Sequence, residues 1–276
     1  MLIEPIREAQ DRIALDKAIY ESLPLFAPLG GGLYKDLAEL TIISANQTLP
    51  LMAFFTSLMG AGRITEIRQA ESFCGDRASI ESAEKLKSLF DKYGTDKATS
   101  HEYHYIYGSL FENPEAVASI LEIGLGTNDA SLPSNMSKDG KPGASLRAFR
   151  DYFTNAKIYG ADIDRKILFD EERIKTFYVD QTDQRTLHAL GEVIDDSLDL
   201  IIDDGLHSPN ANLAVLLFGI KKLRPNGWLV IEDIKGQAIP VWQIIAALLP
   251  PNYQPFFITD KFGSGVFIVK YTPNEN

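Results

Sequence analysis

Cysteine is almost missing from this chain: one residue, Cys74, in 276. An internal disulfide framework and a cysteine-based zinc site are therefore excluded, which fits a reducing compartment. Basic charge is also short, with 27 Lys and Arg against 38 Asp and Glu and a formal net charge of -11. A phosphate backbone is bound by surfaces that displace its counterions with positive charge, so no nucleic-acid partner is expected. Long apolar runs are absent too. The most apolar early segment, residues 48–60, is too short to span a bilayer and lies among Asn46, Gln47 and Arg63, so no membrane partner is expected either. The opening MLIEPIREAQDRIALDK carries charge from its fourth residue and has no basic stretch followed by an apolar core. It does not read as a signal peptide, and the expectation is a cytoplasmic protein.

What is present is an ordinary apolar content of 45%, enough for a full core. Its patterning divides the chain. Residues 1–92 carry helical periodicity, with Ile13, Leu15, Ala18, Ile19 and Leu23, then Leu40 to Met59, then Ile80 to Tyr93, and read as a helical N-terminal region suited to a lid or to homo-oligomer contacts. Residues 93–276 alternate short β-branched runs with helical patterns, the signature of βαβ units. Strands are expected at 118–123, 157–162, 174–179, 198–203, 228–232, 255–258 and 266–271. Helices are expected near 145–153, 182–190, 210–223 and 238–249. The last two strands are joined by the hairpin-like link Asp260-Lys261-Phe262-Gly263-Ser264-Gly265. The fold class is α/β: a doubly wound, seven-stranded Rossmann-like sheet whose last strand is antiparallel, with its ligand at the carboxyl ends of the strands. A polar, glycine-rich loop at 127–143 is longer than usual for a strand-to-helix connection and reads as a lid.

The first expected strand runs into Glu122-Ile123-Gly124-Leu125-Gly126. A dinucleotide site places a third glycine three positions later to receive a pyrophosphate, but that position is Asp129, whose charge repels phosphate. Further acids close the next strands: Asp162, with Asp164 beside it, and then Asp180-Gln181. A strand-end acid accepts both hydrogen bonds of a ribose diol, and the polar pair suits an adenine edge. Glu122, Gly124, Gly126, Asp162, Asp180 and Gln181 thus describe an adenosyl ligand without phosphates.

The stretches ILEIGLGT, IYGADID, IIDDG and NGWLVIED resemble the class I S-adenosylmethionine-dependent methyltransferases. More narrowly, KYGTDKATSHEYHYIYGSLF, GASLRAFRDYF, IDDGLH and VIED resemble the metal-dependent O-methyltransferases of macrolide sugars, of the mycinamicin and macrocin type. The likeness covers about residues 92–233. It implies S-adenosylmethionine as cofactor and a small hydroxylated natural product as acceptor.

The stretch LDLIIDDGLHSPN raises the question of chemistry: an apolar strand ends in Asp203-Asp204, with His207 three residues on. The next strand ends in Glu232-Asp233, so carboxylates of adjacent strands converge and push up one another's pKa unless a cation neutralises them. Oxygen ligands favour Mg2+ or another hard divalent cation. The resemblance implies Asp204, Glu232 and Asp233 as the metal ligands and His207 as general base, with Asp204 beside it in the catalytic set. Asp203, on the other face of the strand end, is expected to meet the cofactor or cap a backbone. In the segment 93–103, Lys97 and Tyr103 are candidates for the methionine carboxylate of the cofactor, and Ser145 can donate to the same carboxylate from a helix start. Leu206, where the family pattern has a small polar residue, points to an apolar substrate mouth.

Two rival readings remain. Some related sequences are named cephalosporin hydroxylases, but an iron oxygenase usually takes two histidines and a carboxylate, and of the four histidines His101, His104 and His188 lie off this edge in the sequence. The other rival is a non-catalytic adenosyl-binding scaffold.

Overall fold

The run Ser119–Ile123 is buried at every position, as a strand covered on both faces requires. The computed structural model that shows this describes residues 3–29, 32–58, 65–136, 138–260 and 263–273. The strands are β1 (Ile67–Gln69), β2 (Ser119–Ile123), β3 (Lys157–Asp162), β4 (Asp170–Glu171), β5 (Ile174–Tyr178), β6 (Leu198–Asp203), β7 (Leu223–Ile234), β8 (Tyr253–Thr259) and β9 (Gly265–Tyr271). The helices are α1 (Ile3–Ser22), α2 (Tyr34–Leu58), α3 (Ala70–Phe73), α4 (Arg77–Tyr93), α5 (Tyr103–Ser109), α6 (Ala144–Tyr152), α7 (Gln184–Gly191), α8 (Pro209–Lys222) and α9 (Ile239–Leu248).

All strands join one sheet in the order β1-β8-β9-β7-β6-β2-β3-β5-β4. The core from β7 to β5 is parallel, and β9 lies antiparallel between β7 and β8. After β2 the chain steps outward through β3 and β5; from β6 it steps the other way to β7. The switch therefore falls between β2 and β6, where the carboxyl ends leave a crevice. Among the described residues the sheet has nine strands rather than the seven expected. The two extra are β1, parallel to β8, and β4, antiparallel to β5. At three and two residues they are too short to show an apolar alternation in sequence.

The contacts divide the chain into two units: Met1–Ile64 with Gln243–Ala247, and Thr65–Trp242 with Leu248–Asn276. The boundary thus lies near residue 64, not at 92. The reason is α4, whose apolar stripe Ala83, Leu86 and Phe90 is fully buried, Phe90 meeting Phe149 of α6 edge to face at 5.5 Å. That helix starts on Asp76, whose side chain accepts from Ser79 N at 2.7 Å, and ends on Gly94 at φ 79°. The first unit holds α1 and α2 together with Gln243–Ala247 of α9. Leu37, Ala38 and Thr41 of α2 are buried, while Leu51, Phe54, Phe55 and Leu58 are exposed. Among the described residues no helix is long and apolar enough to cross a membrane. Met59 and Gly60 of the apolar segment, Ser137 of the long loop, and Lys261 and Phe262 of the final link lie outside the described residues.

Candidate active site

A cavity of about 720 Å³ opens at the switch point. Its floor is the turn after β2. Gly124 sits at φ 97°, and a Cβ there would fall 2.0 Å from the carbonyl oxygen of Asp204, so only glycine lets β2 and β6 approach this closely. Gly124 N donates to Ala161 O at 2.8 Å and Asp204 N to Ile123 O at 2.8 Å, which locks the three strand ends together. Gly126, at φ 76°, would put a Cβ 2.4 Å from Met136 Sδ, so the long loop packs directly over the turn. Ser134 Oγ of that loop donates to Gly205 O at 2.7 Å.

The cofactor candidates fall into two groups. Lys97, Gly124, Gly126, Ser145, Asp162, Asp180 and Gln181 line the cavity. Asp162 accepts from Leu125 N at 2.7 Å and Asp164 N at 2.8 Å, which fixes its carboxylate at the wall. Asp164 does not line the cavity; it accepts from Thr127 Oγ1 at 2.6 Å and Lys166 N at 2.9 Å. Of the two strand-end acids, Asp162 is thus the one at the cavity wall. Gln181 has a further duty: Nε2 donates to Asp203 Oδ1 at 2.6 Å and Oε1 accepts from Leu206 N at 2.8 Å, so its amide pins the turn after β6 rather than standing free for an adenine edge.

Glu122, Asp203 and Tyr103 are not at the cavity wall. Glu122 is fully buried and accepts from Ser145 Oγ at 2.6 Å. Asp203 is fully buried, held by Gln181 and by Asn212 Nδ2 at 2.8 Å, so it anchors α8 instead of meeting a cofactor. Burial raises the Asp203 carboxyl above the ordinary range, against the pull of those two amides. Tyr103, on α5, donates to Asp233 Oδ1 at 2.6 Å and so orients a site carboxylate.

Lys97 departs furthest from expectation. Its Nζ lies 2.6 Å from Asp204 Oδ2, 2.5 Å from Glu232 Oε2 and 3.3 Å from Glu122 Oε1. Nζ donates to Asp204 and Glu232 and forms a longer ion pair with Glu122 Oε1, which has no hydrogen-bond partner, so the ammonium is engaged by site carboxylates rather than held free for the methionine carboxylate of a cofactor. Burial opposes its charge, but the three acids outweigh burial and hold the ammonium well above the ordinary lysine value. Glu232 is buried and also accepts from Tyr107 OH. Burial and then Asp204 push its carboxyl well above the usual range.

At the mouth stand Asp204, His207 and Asp233. Among the described residues these are the acid, histidine or cysteine groups close enough to share a metal ion, their donor atoms lying within 4.8 Å of one another. Glu232, expected as a third oxygen ligand, does not join them because Lys97 and Tyr107 hold its carboxylate. His207 Nε2 is 3.8 Å from Asp204 Oδ1 and 3.8 Å from Asp233 Oδ2, and its buried Nδ1 has no hydrogen-bond partner. Both His207 (φ 53°) and Asp233 (φ 55°) have left-handed backbone, a strain that persists where the surroundings over-determine it. Asp233 is over-determined: besides Tyr103, Ser264 Oγ donates to it at 3.1 Å, and His101 Nδ1 lies 3.5 Å away. Burial works against its charge, yet Tyr103 and the neighbouring histidines and Lys97 keep its carboxyl below the ordinary value. His101 also stacks on Tyr103 and faces Asp260 Oδ2 at 3.3 Å, and it is not part of the metal-sized group. The pair of histidines an iron oxygenase takes is therefore not assembled here.

The donor set fits a hard divalent cation: two carboxylates fixed by neighbours and open to a cavity, with an imidazole alongside. Sequence reasoning missed Tyr107, His101, Ser264 and Asn212. The one signal available was the spacing of Tyr103 and Tyr107, four residues apart and so on one face of a helix.

No protein-family model matches the chain. The 8-demethyl-8-alpha-L-rhamnosyl tetracenomycin-C 2'-O-methyltransferase of Streptomyces olivaceus is 30% identical over 159 residues, 57% of this chain and 40% of the relative. The mycinamicin VI 2''-O-methyltransferase of Micromonospora griseorubida is 38% identical over 93 residues, 33% of this chain and 23% of that protein. Among solved structures, the MycE methyltransferase of the mycinamycin biosynthetic pathway, in complex with Mg and SAH, superposes with a TM-score of 0.54 at 25% identity, covering 70% of this chain and 56% of the other. The chain thus spans about half or less of the length of the curated relatives it matches. In sequence and in fold it resembles the class I S-adenosylmethionine-dependent methyltransferases, and within them the O-methyltransferases of macrolide and polyketide sugars.

Proposed function

We propose that this chain is an S-adenosylmethionine- and Mg2+-dependent O-methyltransferase acting on a hydroxyl of a small natural product of the sugar or polyketide type. The observation that carries the reading is the meeting of Asp204, Asp233 and His207 at one end of a cavity whose wall also carries Asp162 and Asp180. The relatives named above are O-methyltransferases of a rhamnosyl tetracenomycin and of mycinamicin VI, and a neighbour in fold holds Mg and SAH. A net charge of -11 argues for a small acceptor over nucleic acid.

Each residue then has a task. Gly124 and Gly126 would let the backbone turn close to bound S-adenosylmethionine, and Asp162 and Asp180 are the residues that would hold its ribose and its adenine. Asp204 and Asp233 hold the cation, which when bound lowers the pKa of a hydroxyl it touches. His207 is placed to take the acceptor's hydroxyl proton at Nε2, and S-adenosylmethionine, when bound, would supply the methyl group that the acceptor oxygen takes up. Tyr103, Ser264 and His101 keep Asp233 turned toward the mouth. The apolar residues left exposed on α2 suit contacts between copies of the chain, which light scattering of the purified protein would measure.

The reading is tested by methyl transfer to a panel of glycosylated polyketides, with EDTA and with Mg2+ restored. Transfer that stops with EDTA and returns with Mg2+ is expected; undiminished transfer in EDTA removes the task given to Asp204 and Asp233. Tight cofactor binding with no transfer to any acceptor would favour a scaffold instead.

A further inference from the structure

The cation site at the mouth has a second, inner half that the proposed reaction does not use. Lys97 Nζ stands among Glu122 Oε1, Asp204 Oδ2 and Glu232 Oε2 at 3.3, 2.6 and 2.5 Å. The side chains of Lys97, Glu122 and Glu232 are 3%, 0% and 1% exposed, so this ammonium lies nearly buried in the inner wall of the cavity. The oxygens pointing away from it are also committed: Ser145 Oγ bonds the other oxygen of Glu122, and Tyr107 OH bonds the other oxygen of Glu232. The stem of Lys97 enters from a turn whose backbone is closed by Ser100 N to Asp96 O at 2.9 Å and Tyr103 N to Lys97 O at 2.7 Å.

Asp204 has one oxygen on each side. Oδ2 faces Lys97, and Oδ1 belongs to the mouth, 3.8 Å from His207 Nε2. A carboxylate bridging two cation positions, with further acids beyond each, is the arrangement of a two-metal centre, in which neighbouring ions lie about 3.5–4 Å apart. Here one of the two positions holds an ammonium. We propose that Lys97 is a built-in cation standing where a second metal ion would sit: it fixes Asp204 and Glu232 and limits this edge to one divalent cation, carried by Asp204 and Asp233. Lys97 is on this account a positioning residue, not a contact of the cofactor. The inference rests on the metal-dependent reading above.

The test counts Mn2+ bound per chain, by the electron paramagnetic resonance signal of free Mn2+, in full-length protein without cofactor or acceptor. The wild type is expected to bind one ion. Lys97→Met opens the inner trio Glu122, Asp204 and Glu232 and is expected to bind two, and Lys97→Arg, which restores a cation, to return to one. A Lys97→Met protein that binds one ion with unchanged affinity overturns the proposal, as does a wild type that binds two. A wild type that binds none overturns the metal reading itself, a result distinct from either. Should Lys97→Met fail to fold, amine acetylation of the wild type read by mass spectrometry serves in its place. Lys97 is expected to resist the reagent equally with and without saturating Mn2+; labelling that appears only with Mn2+ means the metal displaces the lysine and overturns the proposal.

Discussion

The inner and outer halves of the carboxyl edge are built from neighbouring residues and have opposite environments. Asp203 and Asp204 are consecutive, as are Glu232 and Asp233, yet in each pair one carboxylate is sealed and the other stands at the mouth: Asp203 and Glu232 are 0% and 1% exposed, while the side chains of Asp204 and Asp233 are 27% and 26% exposed. Successive side chains of a strand point to opposite faces, so a strand ending in two acids delivers one inward and one outward. The inward acids are used up on amides, a tyrosine and Lys97. The outward ones keep oxygens for something that enters the cavity. A pair of acids at a strand end thus serves two purposes at once, and substitutions should separate them.

The largest effect is expected at the mouth. His207→Ala should lower kcat by about 10²–10⁴ while leaving Mn2+ affinity and thermal stability close to wild type, the range for loss of a general base. A matching fall in Mn2+ affinity would make His207 a ligand instead. On the inner side the order reverses. Glu232→Ala leaves Lys97 buried with one acid fewer and should cost about 3–5 kcal/mol in urea unfolding, the usual penalty for breaking a buried ion pair. A loss confined to activity would place Glu232 at the mouth after all.

Tyr103 and Asn212 sharpen the comparison because each supports one half. Tyr103→Phe removes a donor to the ionised form of Asp233, so its carboxyl should rise from its lowered value and protons should compete with the cation at higher pH. The expected result is a Mn2+ affinity lower by about 10–100-fold, the effect typical of losing a group that orients a ligand, with the acid limb of the binding curve shifted upward. Asn212→Ala takes a donor from Asp203, whose carboxyl burial already raises. The folded chain would then hold that proton more tightly than the unfolded chain. The destabilisation should be smallest at acid pH and grow as pH rises through the raised value, reaching about 1.5–3 kcal/mol at neutrality, the range for a hydrogen bond to a charged group. Metal binding should not change.

Much of this was legible in sequence wherever the signal was local. All seven expected strand segments became strands, because buried β-branched runs bounded by turns leave few alternatives. The glycines of the first turn and the acids closing successive strands were legible for the same reason. The helical stripe of α4 was equally clear, but periodicity does not say which unit a helix packs against. Lys97 was visible as a residue and opaque as a role: Asp204 and Glu232, the two acids it donates to, are 107 and 135 residues away, and no pattern near it announces them. Asp203 was correctly placed at a strand end, but its side chain is buried in the core, since one residue along a strand exchanges cavity for core; Gln181 does line the cavity, and only its bonds to Asp203 and Leu206 N were not legible.

The most direct test of the account is methyl transfer itself: purified protein, S-adenosylmethionine and a glycosylated polyketide bearing a free sugar hydroxyl, followed by mass spectrometry with Mg2+, with EDTA, and with Asp204→Asn. A product heavier by one methyl group is expected with Mg2+ and none in the other two. Equal product in all three would contradict it.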